Sequence, residues 1–161
     1  MIWMQKIGNL YLPAALCFTL EKGKTNKMPS IFSKIIAGEI PCYKVAEDQN
    51  CFAFLDINPL TEGHTLVIPK KEVDYLYDLD NETYLQLMQF SKQVALAIKT
   101  IVPCKRVTSV VLGFEVPHAH MHLIPAQTEK DVNFTNQKLK FTKEEFEITA
   151  KKIAQAFINL R

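Results

Sequence analysis

The stretch Pro117-His118-Ala119-His120-Met121-His122-Leu123-Ile124-Pro125 places three of the four histidines of this chain at every second position. In an extended strand, residues two positions apart point to the same face. The spacing therefore predicts a strand that carries three imidazoles on one face and points Ala119, Met121 and Leu123 into a core. Crowded basic groups disfavour one another's cationic form, so at least one ring stays neutral. A neutral imidazole can attack as a nucleophile or bind a metal, and the row of histidines indicates a site of one of these kinds.

The length and composition fit one ordinary globular domain. The chain has 161 residues, of which 48% are hydrophobic and 22% are charged. Its net charge is only +2 and its lysines and arginines are dispersed, which argues against a surface built for nucleic acid. A small anionic ligand is compatible with this charge.

The four cysteines are widely spaced and form no Cys-x-x-Cys pair; they are Cys17, Cys42, Cys51 and Cys104. Such spacing favours free thiols in a reducing compartment over a disulfide framework. We therefore expect a cytoplasmic protein.

The N-terminal segment differs from the rest of the chain in its residue pattern. The apolar run Leu10–Leu20 contains Pro13 and is too short to span a membrane. It resembles a weak signal-peptide core, but no small-x-small cleavage site follows it. A polar linker, Glu21–Lys27, comes next. We expect residues 1–29 to form an extension outside the fold, or to reflect an over-long reading of the start, and we expect no membrane partner.

From residue 30 onward the pattern is regular. A Ser30 cap, apolar residues at helical spacing and Gly38 predict a short helix. Leu79–Val102 and Phe141–Leu160 predict amphipathic helices, the second capped near Thr142. Strands are predicted at Tyr43–Glu47, Cys51–Ile57, His64–Pro69, Val107–Leu112 and the histidine row. Hairpins around one long helix predict an α+β fold, with a mainly antiparallel five-stranded sheet, one long helix and a C-terminal helix.

Four segments resemble the histidine-triad nucleotide-binding proteins, whose hallmark is His-x-His-x-His with apolar residues between. They are IFSKIIAGEIP at 31–41, FLDINP at Phe54–Pro59, GHTLVIPK at Gly63–Lys70 and VPHAHMHL at Val116–Leu123. Several motifs in the same order are more specific than one short match. The resemblance covers roughly residues 30 to 126. It divides the chain into the extension, a histidine-triad domain at 30–140 and the C-terminal helix at 141–161, packed on the domain or extending it.

The resemblance implies a hydrolase or nucleotidyl transferase of the purine nucleoside phosphoramidase type. It would cleave at the α-phosphate through a covalent nucleotidyl-histidine intermediate. His120 occupies the middle position, whose imidazole attacks phosphorus in that family; imidazole is both a good nucleophile and a good leaving group. His118 and His122 are expected to donate hydrogen bonds to the phosphoryl oxygens, and His64 to orient the nucleophile.

The resemblance also implies how the nucleoside binds. Apolar and aromatic side chains are expected to wall the base pocket, although ordinary core packing would use the same residue types; they are Phe32, Ile35, Phe54 and Ile57. Asp56 is expected to accept hydrogen bonds from both ribose hydroxyls, the alternative being turn chemistry before Pro59.

Two features depart from the family pattern. The loop before the triad is short, and Gly113-Phe114-Glu115 stands where many members carry Gly-Gln-Ser or Gly-Gln-Glu. Gly113 and Glu115 are still expected to contact the nucleotide, with Gly113 bringing backbone N–H groups near the phosphate. Ser30 and Ser33 occupy positions at which zinc-binding members have cysteines. We therefore expect neither a metal nor a cofactor.

Other functions stay open at this point. A dinucleoside polyphosphate hydrolase would use the same triad with another leaving group. A noncatalytic protein would bind a nucleotide, or hold zinc with the three imidazoles, although no carboxylate or cysteine follows at ligand spacing. Activity that survives a strong chelator would favour the enzyme.

The fourth strand predicts a homodimer. Thr108–Leu112 contains consecutive apolar residues and would be an aggregation hazard as an uncovered edge strand. Family members pair two protomers so that their sheets become continuous. The long helix, Leu79–Val102, is expected to supply part of the cover across a two-fold axis, through Leu85, Met88, Val94 and Ile98. The alternative is that both elements are buried within one protomer.

Overall fold

The computed structural model describes residues 4–7, 10–13 and 28–161. Its centre is an antiparallel sheet of five strands in the order β3-β4-β5-β7-β6. These strands are β3 (Lys44–Glu47), β4 (Cys51–Leu55), β5 (Thr65–Pro69), β6 (Arg106–Val110) and β7 (Met121–Ala126). The helices are α1 (Ile31–Ile36), α2 (Asn81–Ile101) and α3 (Lys143–Asn159), with short 3-10 turns at Leu76–Asp78 and Glu129–Val132. The predicted α+β class and its five-stranded antiparallel sheet are confirmed.

The two central strands β4 and β5 are buried along their whole length because helices cover both faces of the sheet. Phe52, Phe54 and Leu66 join one apolar cluster with Phe32 of α1. The alternate residues Cys51, Ala53, Leu55 and Val67 join a larger cluster with α2 and α3. This alternation follows from the two-residue period of a strand.

The histidine row obeys the same alternation but begins before its strand. Ala119, Met121 and Leu123 lie in the larger cluster, as predicted. The prediction that all three imidazoles stand on a strand is wrong, because β7 starts only at Met121, after His118 and His120.

The long helix α2 begins at the N-cap Asp80, whose carboxylate accepts a hydrogen bond from the backbone N–H of Thr83. Its buried face repeats every three or four residues and comprises Leu87, Phe90, Ser91, Val94, Ala97 and Ile98. Val94 and Ile98 are fully buried within one protomer. Their predicted part in covering a dimer partner is therefore wrong, because the helical phase points them at the sheet. Leu85 and Leu96 lie on the exposed side.

The C-terminal helix α3 starts with a capping box in which Thr142 and Glu145 each accept a hydrogen bond from the other's backbone N–H. It packs against α2, where the rings of Phe90 and Phe157 lie 5.5 Å apart, and against β3. None of the described helices is long and apolar enough to cross a membrane.

Within the predicted extension, Met4–Ile7 (β1) and Leu10–Pro13 (β2) form a two-stranded antiparallel hairpin. The rest of residues 1–27, including Cys17, lies outside the described residues. The cysteines that are described, Cys42, Cys51 and Cys104, are free thiols, in agreement with the sequence.

Candidate active site

The middle histidine of the row has a fixed protonation pattern. His120 Nδ1 lies 2.7 Å from the backbone carbonyl oxygen of His118. A carbonyl can only accept, so Nδ1 donates, and in the neutral ring the lone pair belongs to Nε2. The ring is 7% exposed and lies edge-on to Phe32, with centroids 5.2 Å apart. His120 is thus held as a ring with one basic nitrogen left for chemistry.

A second chain of hydrogen bonds fixes two further histidines. The backbone N–H of Leu60 donates to His64 Nδ1 at 3.1 Å. The proton of a neutral His64 therefore resides on Nε2, which lies 3.0 Å from His122 Nδ1 and donates to it. His122 in turn carries its proton on Nε2, a buried atom without a hydrogen-bond partner among the described residues. This series of hydrogen bonds ends at the Nε2–H of His122, a donor without an acceptor. A buried polar group of this kind points to a ligand.

The low polarity of the surroundings keeps this pair neutral. Burial lowers the pKa of His64 to about 4, although the Asp56 carboxylate acts in the opposite direction. Burial also lowers the pKa of His122 to about 3, and electrostatic repulsion of its charged form by the neighbouring basic groups His64, His120 and Lys138 acts in the same direction. Both rings are therefore uncharged at neutral pH, as the hydrogen-bond chain requires.

A tight turn delivers His64 to this chain. Gly63 has φ +77°, a conformation that L side chains rarely adopt, and an added Cβ would meet Val102 Cγ2 at 2.7 Å. The turn is tied on both sides, since Thr65 Oγ1 donates to the carbonyl of Gly63 and the N–H of Asp56 donates to the carbonyl of His64. The Gly-His pair of the sequence therefore places an imidazole at the start of β5.

Asp56 serves the turn and faces the site at once. Its Oδ1 accepts from the backbone N–H of Asn58 at 2.8 Å, while Oδ2 lies 3.7 Å from His64 Nε2. The turn interaction expected of this residue is therefore present. Ribose binding itself stays a prediction.

His118 is committed to the protein on both ring nitrogens. Nε2 donates to the carbonyl of Pro69 and Nδ1 shares a hydrogen bond with Ser30 Oγ, both at 2.8 Å. Glu72 extends this network, because its carboxylate accepts from the backbone N–H of Ser30 and from Ser33 Oγ. The predicted donation from His118 to a phosphoryl oxygen is not available in this arrangement, and the ring instead ties α1 to the sheet.

The predicted base-pocket residues separate into two groups. Phe32 and Phe54 pack edge to face, 5.6 Å apart, with Ile35 against the same cluster beside His120. Ile57 is 67% exposed and lines an open groove of about 600 Å³ with Tyr43, Lys44 and residues of α3. Its part in a base pocket stays a prediction.

Gly113 and Glu115 lie on the loop between β6 and β7. Gly113 has φ +73° and Glu115 is exposed. Phe114 between them is 91% exposed. A contact of this loop with a nucleotide stays a prediction.

Two residues beside the site had no signal in the sequence. The ring of Phe134 lies edge-on to His122 at 5.0 Å and to His64 at 6.3 Å. Lys138 Nζ lies 5.2 Å from the centre of the Phe134 ring and donates to the carbonyl of Phe134. Both residues belong to an irregular segment after the triad, where neither periodicity nor a motif marks a side chain.

A metal would find one cluster of suitable side chains. Among the described residues, only Asp56, His64 and His122 bring three ligand atoms within 4.8 Å of one another. The three imidazoles of the row do not converge in this way. The cluster fits a cation poorly, because His64 has already committed Nδ1 to Leu60 and Nε2 to His122.

The fold and the triad define a class of protein, and comparison with known proteins identifies it. The HIT domain family model matches residues 37–129, more than half of the chain, so the chain belongs to the HIT family. Adenosine 5'-monophosphoramidase HNT1 of Saccharomyces cerevisiae is 38% identical over 117 residues, which cover 70% of this chain and 74% of the yeast protein.

Solved structures agree with this assignment. A Hit-like protein from Bartonella henselae superposes with a TM-score of 0.70 at 34% identity, covering 82% of this chain and 99% of that one. A zinc-bound histidine triad family protein from Mycobacterium smegmatis gives a TM-score of 0.71 at 26% identity, with 83% and 96% covered.

Proposed function

We propose that the protein hydrolyses purine nucleotide derivatives at the α-phosphate, with phosphoramidates of adenosine monophosphate as the substrate class. The observation that carries the proposal is the complementary state of two buried imidazoles. His120 presents a basic Nε2, and His122 presents an unpartnered Nε2–H. A nucleophile beside a hydrogen-bond donor for the phosphoryl oxygens is the arrangement that a two-step displacement at phosphorus needs.

The chemistry would proceed as follows. His120 Nε2 attacks the α-phosphorus, the new N–P bond forms and the bond from phosphorus to the leaving nitrogen breaks. The leaving nitrogen takes a proton from solvent and departs as the amine, while His122 Nε2–H donates a hydrogen bond to a phosphoryl oxygen and stabilises the charge that builds there. Water then attacks the nucleotidyl-histidine: an O–P bond forms, the N–P bond breaks, a proton passes to solvent, and the nucleoside monophosphate and neutral His120 are released.

The nucleoside end would lie against Phe32, Phe54 and Ile35, with Asp56 accepting from the ribose hydroxyls. Phe32 lies edge-on to both Phe54 and His120, and this aromatic wall beside the nucleophile supports binding of a flat base. We retain Gly113 and Glu115 as nucleotide contacts on the loop before the triad. His118 is assigned to positioning, since both of its nitrogens are hydrogen-bonded within the protein.

The substrate class draws on the yeast relative, an adenosine 5'-monophosphoramidase. Dinucleoside polyphosphates are the alternative, because a phosphate leaving group would need the same two imidazoles. We further propose that the protein works as a cytoplasmic homodimer without a metal.

Intact mass spectrometry would test the mechanism. The protein is mixed with adenosine 5'-phosphoramidate and quenched at alkaline pH, where a histidine P–N bond survives. We expect the mass of one adenylyl group on the wild-type chain, none on His120→Asn, and turnover that persists in excess chelator. Turnover by His120→Asn, or wild-type turnover abolished by the chelator and restored by zinc, would contradict the proposal.

A further inference from the structure

Residues 133–140 form a wall beside the candidate site, although they lie beyond the part of the chain that the HIT family model matches. The segment is anchored by Leu139, whose backbone N–H donates to the carbonyl of Pro59 at 2.8 Å, and by Asn136, whose amide donates to the carbonyl of Lys130. Its Phe134 contacts both rings of the His64–His122 pair edge-on. The anchoring fixes what the segment presents to the site.

What it presents is a cation without a counter-charge. Lys138 is half-buried, and its ammonium group contacts a carbonyl oxygen and the face of the Phe134 ring. Within residues 28–161, no carboxylate lies within ion-pair distance of it, whereas five lysine–carboxylate or arginine–carboxylate pairs form elsewhere. The charge is close enough to His64 and His122 to contribute, after burial, to the lowered pKa of each.

We propose that Lys138 binds an anionic oxygen of the substrate phosphoryl group. This extends the proposed function, on which it rests for the position of the phosphate. A lysine ammonium on a flexible stem suits a phosphate oxygen, and a partly desolvated cation beside neutral imidazoles supplies the positive charge that the histidines lack. The ring of Phe134 holds the stem while the ammonium keeps donors free, since one of its three protons serves the carbonyl of Phe134.

Calorimetric titration with adenosine monophosphate and with uncharged adenosine would test this assignment without requiring turnover. The variants are Lys138→Gln, Lys138→Arg and, as the matched control, Lys140→Gln, which removes the same charge from an exposed position two residues away. We expect Lys138→Gln to weaken adenosine monophosphate binding about tenfold, the value of one hydrogen bond to a charged group. Adenosine binding should not change, Lys138→Arg should recover most of the affinity, and Lys140→Gln should behave as wild type.

Unchanged affinity of Lys138→Gln for adenosine monophosphate would overturn the proposal, as would an equal loss for adenosine, which would indicate a structural role. If Lys138→Gln does not fold, Lys138→Arg and the wild type decide: the wild-type preference for adenosine monophosphate over adenosine must fall as salt is raised. A wild type that binds adenosine monophosphate but does not hydrolyse the phosphoramidate would refute the proposed function alone and leave the Lys138 comparison valid.

Discussion

His64 Nε2 lies 3.0 Å from His122 Nδ1, and the direction of that hydrogen bond is set by a backbone group, the N–H of Leu60. A peptide N–H cannot reverse its role, so the proton positions on both rings follow from the loop that precedes β5. The protonation pattern of His122 on β7 is thus determined by the turn around Gly63. This relationship shows how His64 acts on the histidine row although it lies far from it in the sequence.

Replacement of His120 by alanine should abolish turnover, with a loss of about 10³-fold or more in kcat, because the nucleophile is removed. The ring is buried against Phe32, so we expect a stability cost of roughly 1–2 kcal/mol with the fold retained. Steady-state kinetics and urea unfolding would measure both quantities. Near-normal kcat would exclude covalent catalysis at this residue.

His118→Ala is the matched comparison for His120→Ala. It removes two hydrogen bonds that tie α1 to the sheet, so its free energy of unfolding should fall further than that of His120→Ala while kcat falls less. The opposite ranking would show that His118 contacts the substrate.

The stability of the protein should fall as pH drops from about 6.5 toward 4. In the folded state the pKa of His64 is lowered to about 4 and that of His122 to about 3, while unfolded histidines titrate near 6.5. Between these pH values the unfolded chain binds more protons than the folded chain, so the free energy of unfolding decreases as the pH falls. The stability contributed by the two neutral histidines is complete above pH 6.5.

Urea denaturation at several pH values between about 5.5 and 6.5 would measure this slope, in a window about one unit above the pKa of an unfolded glutamate. His122→Asn should reduce the slope because one of the two depressed groups is gone. A wild-type free energy of unfolding that stays flat over this window would contradict the buried neutral pair.

The sequence predicted the parts of this site that local patterns encode. The alternation of residues predicted that Ala119, Met121 and Leu123 lie in the core. Ser30 marked the start of α1, and the turn at Gly63 marked the start of β5. The hydrogen-bond partners could not be read in this way. Ser30 bonds His118, 88 residues away in the chain, and Glu72, 42 residues away, and only the assembled fold brings the three together.

Part of the error has a common cause, because periodicity indicates that a residue is buried but not what covers it. Val94 and Ile98 satisfied the pattern expected of an interface and were buried by the sheet of their own protomer. The strand predicted at Cys51–Ile57 ends at Leu55, so Ile57 lies beyond it and is exposed. Phe134 and Lys138 show the converse, since an irregular segment can border a site without any repeat.

Gly63→Ala should destabilise the protein by roughly 2–4 kcal/mol, because it combines an unfavourable φ with a clash against Val102. Gly38→Ala is the matched control: its φ is also +77°, but its Cβ would enter open space, so we expect a loss of only about 1 kcal/mol. Urea unfolding of both variants separates the two effects. Equal losses would mean that Val102 moves aside without cost.

A chain that starts at Met28 should retain the stability and activity of the full-length protein. Residues 28–161 contain the complete five-stranded sheet, both apolar clusters and every residue assigned to the site. Thermal unfolding and phosphoramidate hydrolysis of the shortened chain would check this. Loss of soluble protein on truncation would show that the first residues pack on the domain.

The protein should be a dimer in solution, joined through β6. This strand forms one edge of the sheet, and the apolar residues that follow it, Val111 and Leu112, are 37% and 39% exposed. A second copy pairing edge to edge would satisfy the open backbone groups and cover these side chains. Leu85 on the exposed side of α2 is available to such a partner, whereas Val94 and Ile98 are not because they are buried in the protomer.

Light scattering over a dilution series down to submicromolar protein would measure the assembly. Val111→Lys should shift the mass toward the monomer, because it places a charge where the two edges meet. Ile158→Lys is the control, since this exposed residue of α3 lies far along the chain from the edge strand and its substitution adds the same charge. A monomeric mass of the wild type at every concentration, with full activity, would overturn the dimer and show that one protomer is a complete enzyme.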